Sequence, residues 1–266
     1  MRRPLRRLIP PEARRRLRQL QKEAPIRLRD LLQDLRDPFR PDRALPPARL
    51  RARVSGTSSR REFLDVGRMA SADIRRAFEA SKTPEDRYPR WLDFGCGSGR
   101  IARLIADYAP VEELWGADVD RKAVEWCSRH LRRGTYLTID AEPPMPLPES
   151  RFDVIMCGSV FTHLPEEAQW RWLSELHRVL RPGGLLITCT HSPKLIFTRP
   201  DLTADQLREL ETFGFLFAPG GGAFNEDGAF HTRAYLENGW KRWFRLELFE
   251  ELGYCGFQDL SAWTRC

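Results

Sequence analysis

The chain has 266 residues, of which 44 are basic and 37 acidic for a formal net charge of +7, and it contains six cysteines. That length supports one α/β body with additions. Cys96, Cys127, Cys157, Cys189, Cys255 and Cys266 form no C-x-x-C pair and no Cys/His cluster, which argues against a metal site and a disulfide framework. No apolar run approaches the ~20 residues needed to span a bilayer, and the basic start of the chain lacks the apolar stretch of a secretory signal. The expectation is a reduced, cytoplasmic protein whose cysteines are buried small residues.

The charge is unevenly placed. Residues 1–61 hold 18 Arg and one Lys against six acids, while 62–266 hold 25 basic and 31 acidic residues. Within the basic segment Pro10-Pro11 precedes a helical pattern with Leu17 and Leu20, and Pro25 precedes another with Leu28, Leu31, Leu32 and Leu35. Each predicted helix carries a narrow apolar stripe among arginines. Such a stripe suits an anionic membrane surface, an acidic protein partner or nucleic acid, or else docks on a neighbouring domain with the arginines in water. Pro38, Pro41, Pro46 and Pro47 follow as a stiff connector. This gives a basic helical extension and connector over 1–49 and the main domain over 50–266. A lead-in from Leu50 contains Gly56 and Phe63 and continues as a helix through Ile74 and Phe78.

Trp91-Leu92-Asp93-Phe94-Gly95-Cys96-Gly97-Ser98-Gly99-Arg100 is a strand-to-helix turn with an acid followed by three alternating glycines. Glycine lets a backbone approach a bound molecule, and the opening helix presents unpaired N–H groups. A dinucleotide loop reads G-x-G-x-x-G, whereas the acid here repels a pyrophosphate and attracts an amino group. A second apolar run, Leu114-Trp115-Gly116-Ala117, ends in Asp118, then Val119. Asp140-Ala141-Glu142 precedes a Pro-rich stretch, Phe152-Asp153-Val154-Ile155-Met156-Cys157-Gly158-Ser159 reads as a buried strand, and Arg181-Pro182-Gly183-Gly184 leads into a fifth.

In this order, over residues 88–190, the motifs resemble those of the class I S-adenosylmethionine-dependent methyltransferases. The resemblance implies a doubly wound, Rossmann-like, seven-stranded, mostly parallel sheet whose seventh strand is antiparallel, with S-adenosyl-L-methionine across the carboxyl ends of the first three strands. It assigns Asp93, Gly95, Cys96 and Gly97 to the cofactor loop, and Asp118 with Val119 to the ribose. Asp140 with Ala141 fall at the adenine, and Cys157 with Gly158 beside the methionine half. The lead-in and the Gly256-Phe257-Gln258-Asp259-Leu260 ending resemble members found with bacterial glycan and cell-envelope genes, where the lead-in covers the cofactor and Gly56 and Phe63 belong to the lid.

Residues 191–239 are too long for a connection and contain Gly220-Gly221-Gly222, Asn225, Gly228, His231 and Tyr235, which suits a substrate lid or a mobile surface loop. Trp240–Leu248 and Gly256–Trp263 read as the last two strands. A hydroxyl acceptor benefits from a general base, and His163, His191 and His231 are the candidates; packing or helix capping is the alternative for His163. The acceptor expected is a small molecule or glycan hydroxyl. RNA is disfavoured by the acidic core and by the absence of an Asn-Pro-Pro-Tyr or Asp-Pro-Pro-Tyr motif after Asp153, and a non-catalytic cofactor-binding module is the third reading.

Overall fold

The computed structural model describes residues 45–266 apart from 57, 84, 85, 109, 200 and 220–226. The predicted Leu-striped helices of the basic extension therefore lie outside the described residues, as do Gly220, Gly221, Gly222 and Asn225.

Two helices open the described chain, α1 (Ala48–Ser55) and α2 (Arg60–Ser81). The domain boundary expected at 49/50 falls inside α1. Ser59 caps α2 by accepting the Glu62 N–H, and Phe63, Gly67, Ala70, Ile74, Ala77 and Phe78 form its buried stripe. Five strands follow, β1 (Arg90–Phe94), β2 (Glu113–Asp118), β3 (Thr135–Thr138), β4 (Phe152–Cys157) and β5 (Leu180–Thr190). They alternate with α3 (Ala102–Ile105), α4 (Arg121–His130) and α5 (Glu166–Val179). After β5 come α6 (Ala204–Phe213), β6 (Phe215–Ala218), β7 (Gly228–His231), α7 (Arg233–Trp240), β8 (Phe244–Tyr254) and β9 (Gln258–Arg265).

The main sheet runs β3-β2-β1-β4-β5-β9-β8. Strands β1 to β5 pair in parallel, and β9 is antiparallel to both β5 and β8. This is the expected seven-stranded arrangement. Strand order reverses between β1 and β4, the place where doubly wound sheets open a crevice at their carboxyl edge.

Alternation along β1 sends Trp91 to one face and Leu92 to the other. Trp91 joins Phe78, Ile101, Met156, Ile187 and Ala262, whereas Leu92 joins Ile155, Trp172, Leu176, Trp240 and Trp263. Helices thus cover both faces, which is why β4 is buried at all six positions. At the amino edge, buried Asp153 accepts hydrogen bonds from the Arg90 backbone and guanidinium and from Arg181. That carboxylate pins β1, β4 and β5 together, far from the crevice.

Two expectations need correction. Trp240–Trp243 is the end of α7 and a turn, so the next-to-last strand begins only at Phe244; Trp240 is a fully buried helix residue packed on Phe161 and Trp263. Over its described residues the 191–239 segment is a built cap, not a bare loop. Thr203 and Gln206 form a capping box on α6, β6 and β7 pair antiparallel, and Leu210, Leu216 and Phe230 pack with Leu195, Ile196 and Leu202.

Candidate active site

The glycine turn is stitched to the neighbouring strand before any ligand is considered. The Gly95 and Cys96 amides both donate to the Ala117 carbonyl, at 2.8 and 3.1 Å, so the end of β1 is held against the end of β2. Gly95 adopts φ 77°, and a Cβ there would stand 2.1 Å from Val160 Cγ2. At Gly97, with φ 51°, a Cβ would stand 2.7 Å from Val54 Cγ2. Both glycines are required twice over, by conformation and by close approach. Val54 belongs to α1, and its neighbour Arg53 pairs with Asp120, the cap of α4. The lead-in does therefore lie over the glycine turn. Phe63 is wholly buried, and Gly56 ends α1 at φ 68° with nothing within 4 Å of where a Cβ would stand.

Two carboxylates converge beneath this turn. Asp93 is 1% exposed. The Ala102 amide bonds it, yet its Oδ2 has no hydrogen-bond partner. Burial first, and then the charge of Asp118, push its pKa up to about 7, against the opposing pull of Arg100. Asp118 stands at the tip of β2, accepting the Gly97 amide at 2.7 Å on Oδ2 and the Asp120 amide at 2.7 Å on Oδ1. Burial raises its pKa too, and these amide bonds oppose the rise. Beside it Val119 is 58% exposed, an apolar side chain left uncovered at the crevice mouth.

The Ile139 amide donates to the Asp118 carbonyl at 3.0 Å, bringing exposed Asp140 and Ala141 alongside. The Ala141 carbonyl in turn accepts the Trp172 indole N–H at 3.3 Å. Cys157 ends β4 and Gly158 follows it. Cys96 and Cys157 are both buried, and burial raises both thiols, with the Cys127 thiol as the larger cause at Cys96. The set offers an unsatisfied carboxyl for a cation, a carboxylate with lone pairs for a diol, and an apolar flank beside an acid for a flat ring carrying an amine.

Of the three candidate histidines the structure unites two. His163 ends a 3₁₀ turn after β4, Phe161–His163, and its Nδ1 lies 2.9 Å from the Asp227 carbonyl, to which it donates when protonated there. His191 follows β5. The two rings are perpendicular with centroids 6.2 Å apart, and His191 also packs on Phe230 of β7 at 5.3 Å. Burial lowers the pKa of His163, and burial, His163 and Arg199 together push His191 to about 4. The ring of His231 is engaged elsewhere, although its backbone amide donates to the His191 carbonyl at 3.1 Å. It is fully buried on β7, with Nε2 2.9 Å from Gln169 Oε1, and the Gln169 NH2 donates to the Phe161 and Leu164 carbonyls. That orientation makes His231 the donor. Burial pushes its pKa down to about 3, so it ties the cap to α5 and is enclosed by Phe215 and Tyr235.

Sequence reasoning missed Val54 and Arg53 because the lead-in carries no motif, and it missed Val160 because one valine in a loop has no pattern. Among the described residues no cluster of three or more His, Cys, Asp or Glu could hold a metal ion, and no helix is long and apolar enough to cross a membrane.

Comparison with known proteins agrees with this geometry. A family model described as a methyltransferase domain matches residues 92–188, the span from β1 to β5. A probable S-adenosylmethionine-dependent methyltransferase of Mycolicibacterium smegmatis is 36% identical over 139 residues, covering 47% of this chain and 51% of the relative. A malonyl-[acyl-carrier protein] O-methyltransferase of Enterobacter lignolyticus is 32% identical over 143 residues, 51% of this chain and 49% of that protein. The chain thus spans about half the length of these curated relatives. A solved SAM-dependent methyltransferase from Methanosarcina mazei shares the fold, with TM-score 0.55 and 17% identity over 70% of this chain and 98% of that one. The sheet therefore has the class I methyltransferase, Rossmann-like fold, and its segment 92–188 is similar to a methyltransferase domain that uses S-adenosylmethionine.

Proposed function

We propose that this protein transfers the methyl group of S-adenosylmethionine to a hydroxyl of a small molecule or glycan, in the manner of the cell-envelope-associated enzymes its lead-in and C-terminal ending resemble. The residues present fit the cofactor: Asp93 Oδ2 lacks a partner that an ammonium would supply, Asp118 has lone pairs for a ribose diol, and Val119 is bare beside Asp140. When bound, that group supplies a methyl carbon made electrophilic by a positively charged sulfur. The chain's own task is to align an acceptor with it and receive the acceptor's proton.

The observation that carries the reading is the His163–His191 pair. Val160, three residues before His163, packs directly on Gly95, so the turn that touches the glycine loop also delivers the imidazole. With Nδ1 engaged by the Asp227 carbonyl, His163 keeps Nε2 for a hydroxyl proton. Burial leaves both rings neutral near pH 7, the form a base requires. Phe230 of β7 packs on the His191 ring from the neighbouring hairpin.

The test is incubation with methyl-labelled S-adenosylmethionine and fractionated lysate. Label in carbohydrate or small hydroxylated molecules supports the reading, and label in RNA or protein overturns the acceptor class. With an acceptor in hand, His163→Gln and His191→Gln separate base from scaffold. Because both pKa values are lowered, the rate should be flat above pH 7 and fall only in acid, below the ordinary histidine range. A decline centred above pH 7 as pH drops would remove the histidines from the chemistry.

A further inference from the structure

We propose that the Tyr254 hydroxyl binds the carboxylate of the cofactor's amino-acid end, donating a hydrogen bond from the C-terminal hairpin into the crevice; this rests on the cofactor reading above. Tyr254 ends β8, at the far edge of the sheet in strand order, yet its hydroxyl reaches Gly158, the residue that follows β4. A Cβ placed on Gly158 would lie 3.0 Å from Tyr254 Oη and 2.9 Å from Ile101 Cδ1. The route is a bulge. Pairing of β8 with β9 shifts register between Glu250 and Tyr254, where Leu252 takes φ 52°, and such irregularities bend a strand's tip. Gln258, opposite Tyr254 in the same hairpin, accepts the Ser159 hydroxyl at 2.8 Å, so the hairpin grips the turn after β4 directly.

The hydroxyl is buried at 1% residue exposure and has no hydrogen-bond partner. Buried polar atoms are nearly always paired, and an orphan destabilises the fold unless a ligand takes it up. Two more orphans stand nearby in the fold: Asp93 Oδ2 at the end of β1, and Ser98 Oγ within the glycine turn, fully buried. Asp93 and Tyr254 share Arg100 as a charged neighbour. An acid, hydroxyl donors and a guanidinium complement an α-amino acid, with the ammonium toward Asp93 and the carboxylate toward the donors. Burial raises the Tyr254 pKa, so the hydroxyl keeps its proton and acts as a donor.

Tyr254→Phe removes one oxygen and preserves the ring. Calorimetry on the full chain would use three probes: S-adenosylmethionine, its decarboxylated analogue and methylthioadenosine, which lacks the amino-acid end. The variant should bind S-adenosylmethionine about tenfold more weakly, the loss of one hydrogen bond to a charged group, and bind the other two as the parent does. Without ligand it should melt no lower than the parent, because the hydroxyl is unpaired in the empty protein. An equal loss for all three probes, or a lower melting temperature with unchanged affinity, overturns the proposal by making the hydroxyl structural. A parent that binds none of the three overturns the cofactor reading itself.

Discussion

A carboxyl group with one oxygen unpaired at 1% exposure sits in Asp93 with its pKa near 7, while the unfolded chain would hold it near 4. The folded protein without cofactor therefore binds a proton more tightly than the unfolded chain does. Asp93 contributes its stability fully below pH about 4, and that contribution is lost as pH rises through about 7. Asp93→Asn should melt several degrees above the parent at pH 8, with the advantage shrinking toward pH 5, and should bind S-adenosylmethionine at least tenfold more weakly. For the parent, an ammonium ligand favours the ionised carboxyl, so affinity should rise with pH and level off above about 7. Scanning fluorimetry and calorimetry across pH 5–8 check both; a pH-independent melting difference would show that the carboxyl is not strained. The acid itself was legible from its place before three glycines. Its unpaired oxygen was not, because burial and pairing depend on Ala102, Arg100 and Asp118 meeting around it.

At the scale of elements, legibility followed periodicity. Strands β1, β2 and β4 are apolar runs that lie where the spacing predicts; β5 begins earlier, at Leu180, so the expected Pro182-Gly183-Gly184 turn is an irregular start of the strand itself, which pairs again in register with β4 from Leu185. Trp240–Trp243 misled because aromatic enrichment marks strands, yet Trp240 is carried by α7 into the same core that a strand would have filled. The β6–β7 hairpin escaped notice because four-residue strands carry too few alternations to register. The close meeting of Gly95 and Val160 was likewise invisible, since 65 positions separate them, and it gives a prediction. Gly95→Ala places a methyl 2.1 Å from Val160 Cγ2 at φ 77°, so it should cost about 2 kcal/mol or more. Adding Val160→Ala should recover roughly half, since the space returns but the backbone strain stays. Urea unfolding of the two singles and the double measures this directly; strictly additive effects would mean the two residues do not meet.

At the scale of the whole molecule, the sequence divides into two segments of opposite charge. Residues 1–61 carry 19 basic groups against six acids, and 62–266 carry 25 against 31. The +7 net charge therefore describes neither. The crevice is built mainly from the acidic segment, where a cofactor of net charge +1 needs no basic field, whereas a polyanionic acceptor would meet repulsion on approach. We propose that the arginines interleaved with Leu17, Leu20, Leu28, Leu31, Leu32 and Leu35 adhere to an anionic lipid surface. Each basic group near such a surface is worth about 1 kcal/mol, and the attraction fades beyond a Debye length of ~10 Å at 0.1 M salt. The 266-residue chain should consequently sediment with vesicles containing anionic lipid at low salt, release as salt rises severalfold, and ignore neutral vesicles. Replacing the arginines of residues 14–18 with glutamine should weaken that adhesion while leaving S-adenosylmethionine affinity unchanged. Adhesion that resists salt, or none at low salt, would assign the leucine stripe to a protein contact instead.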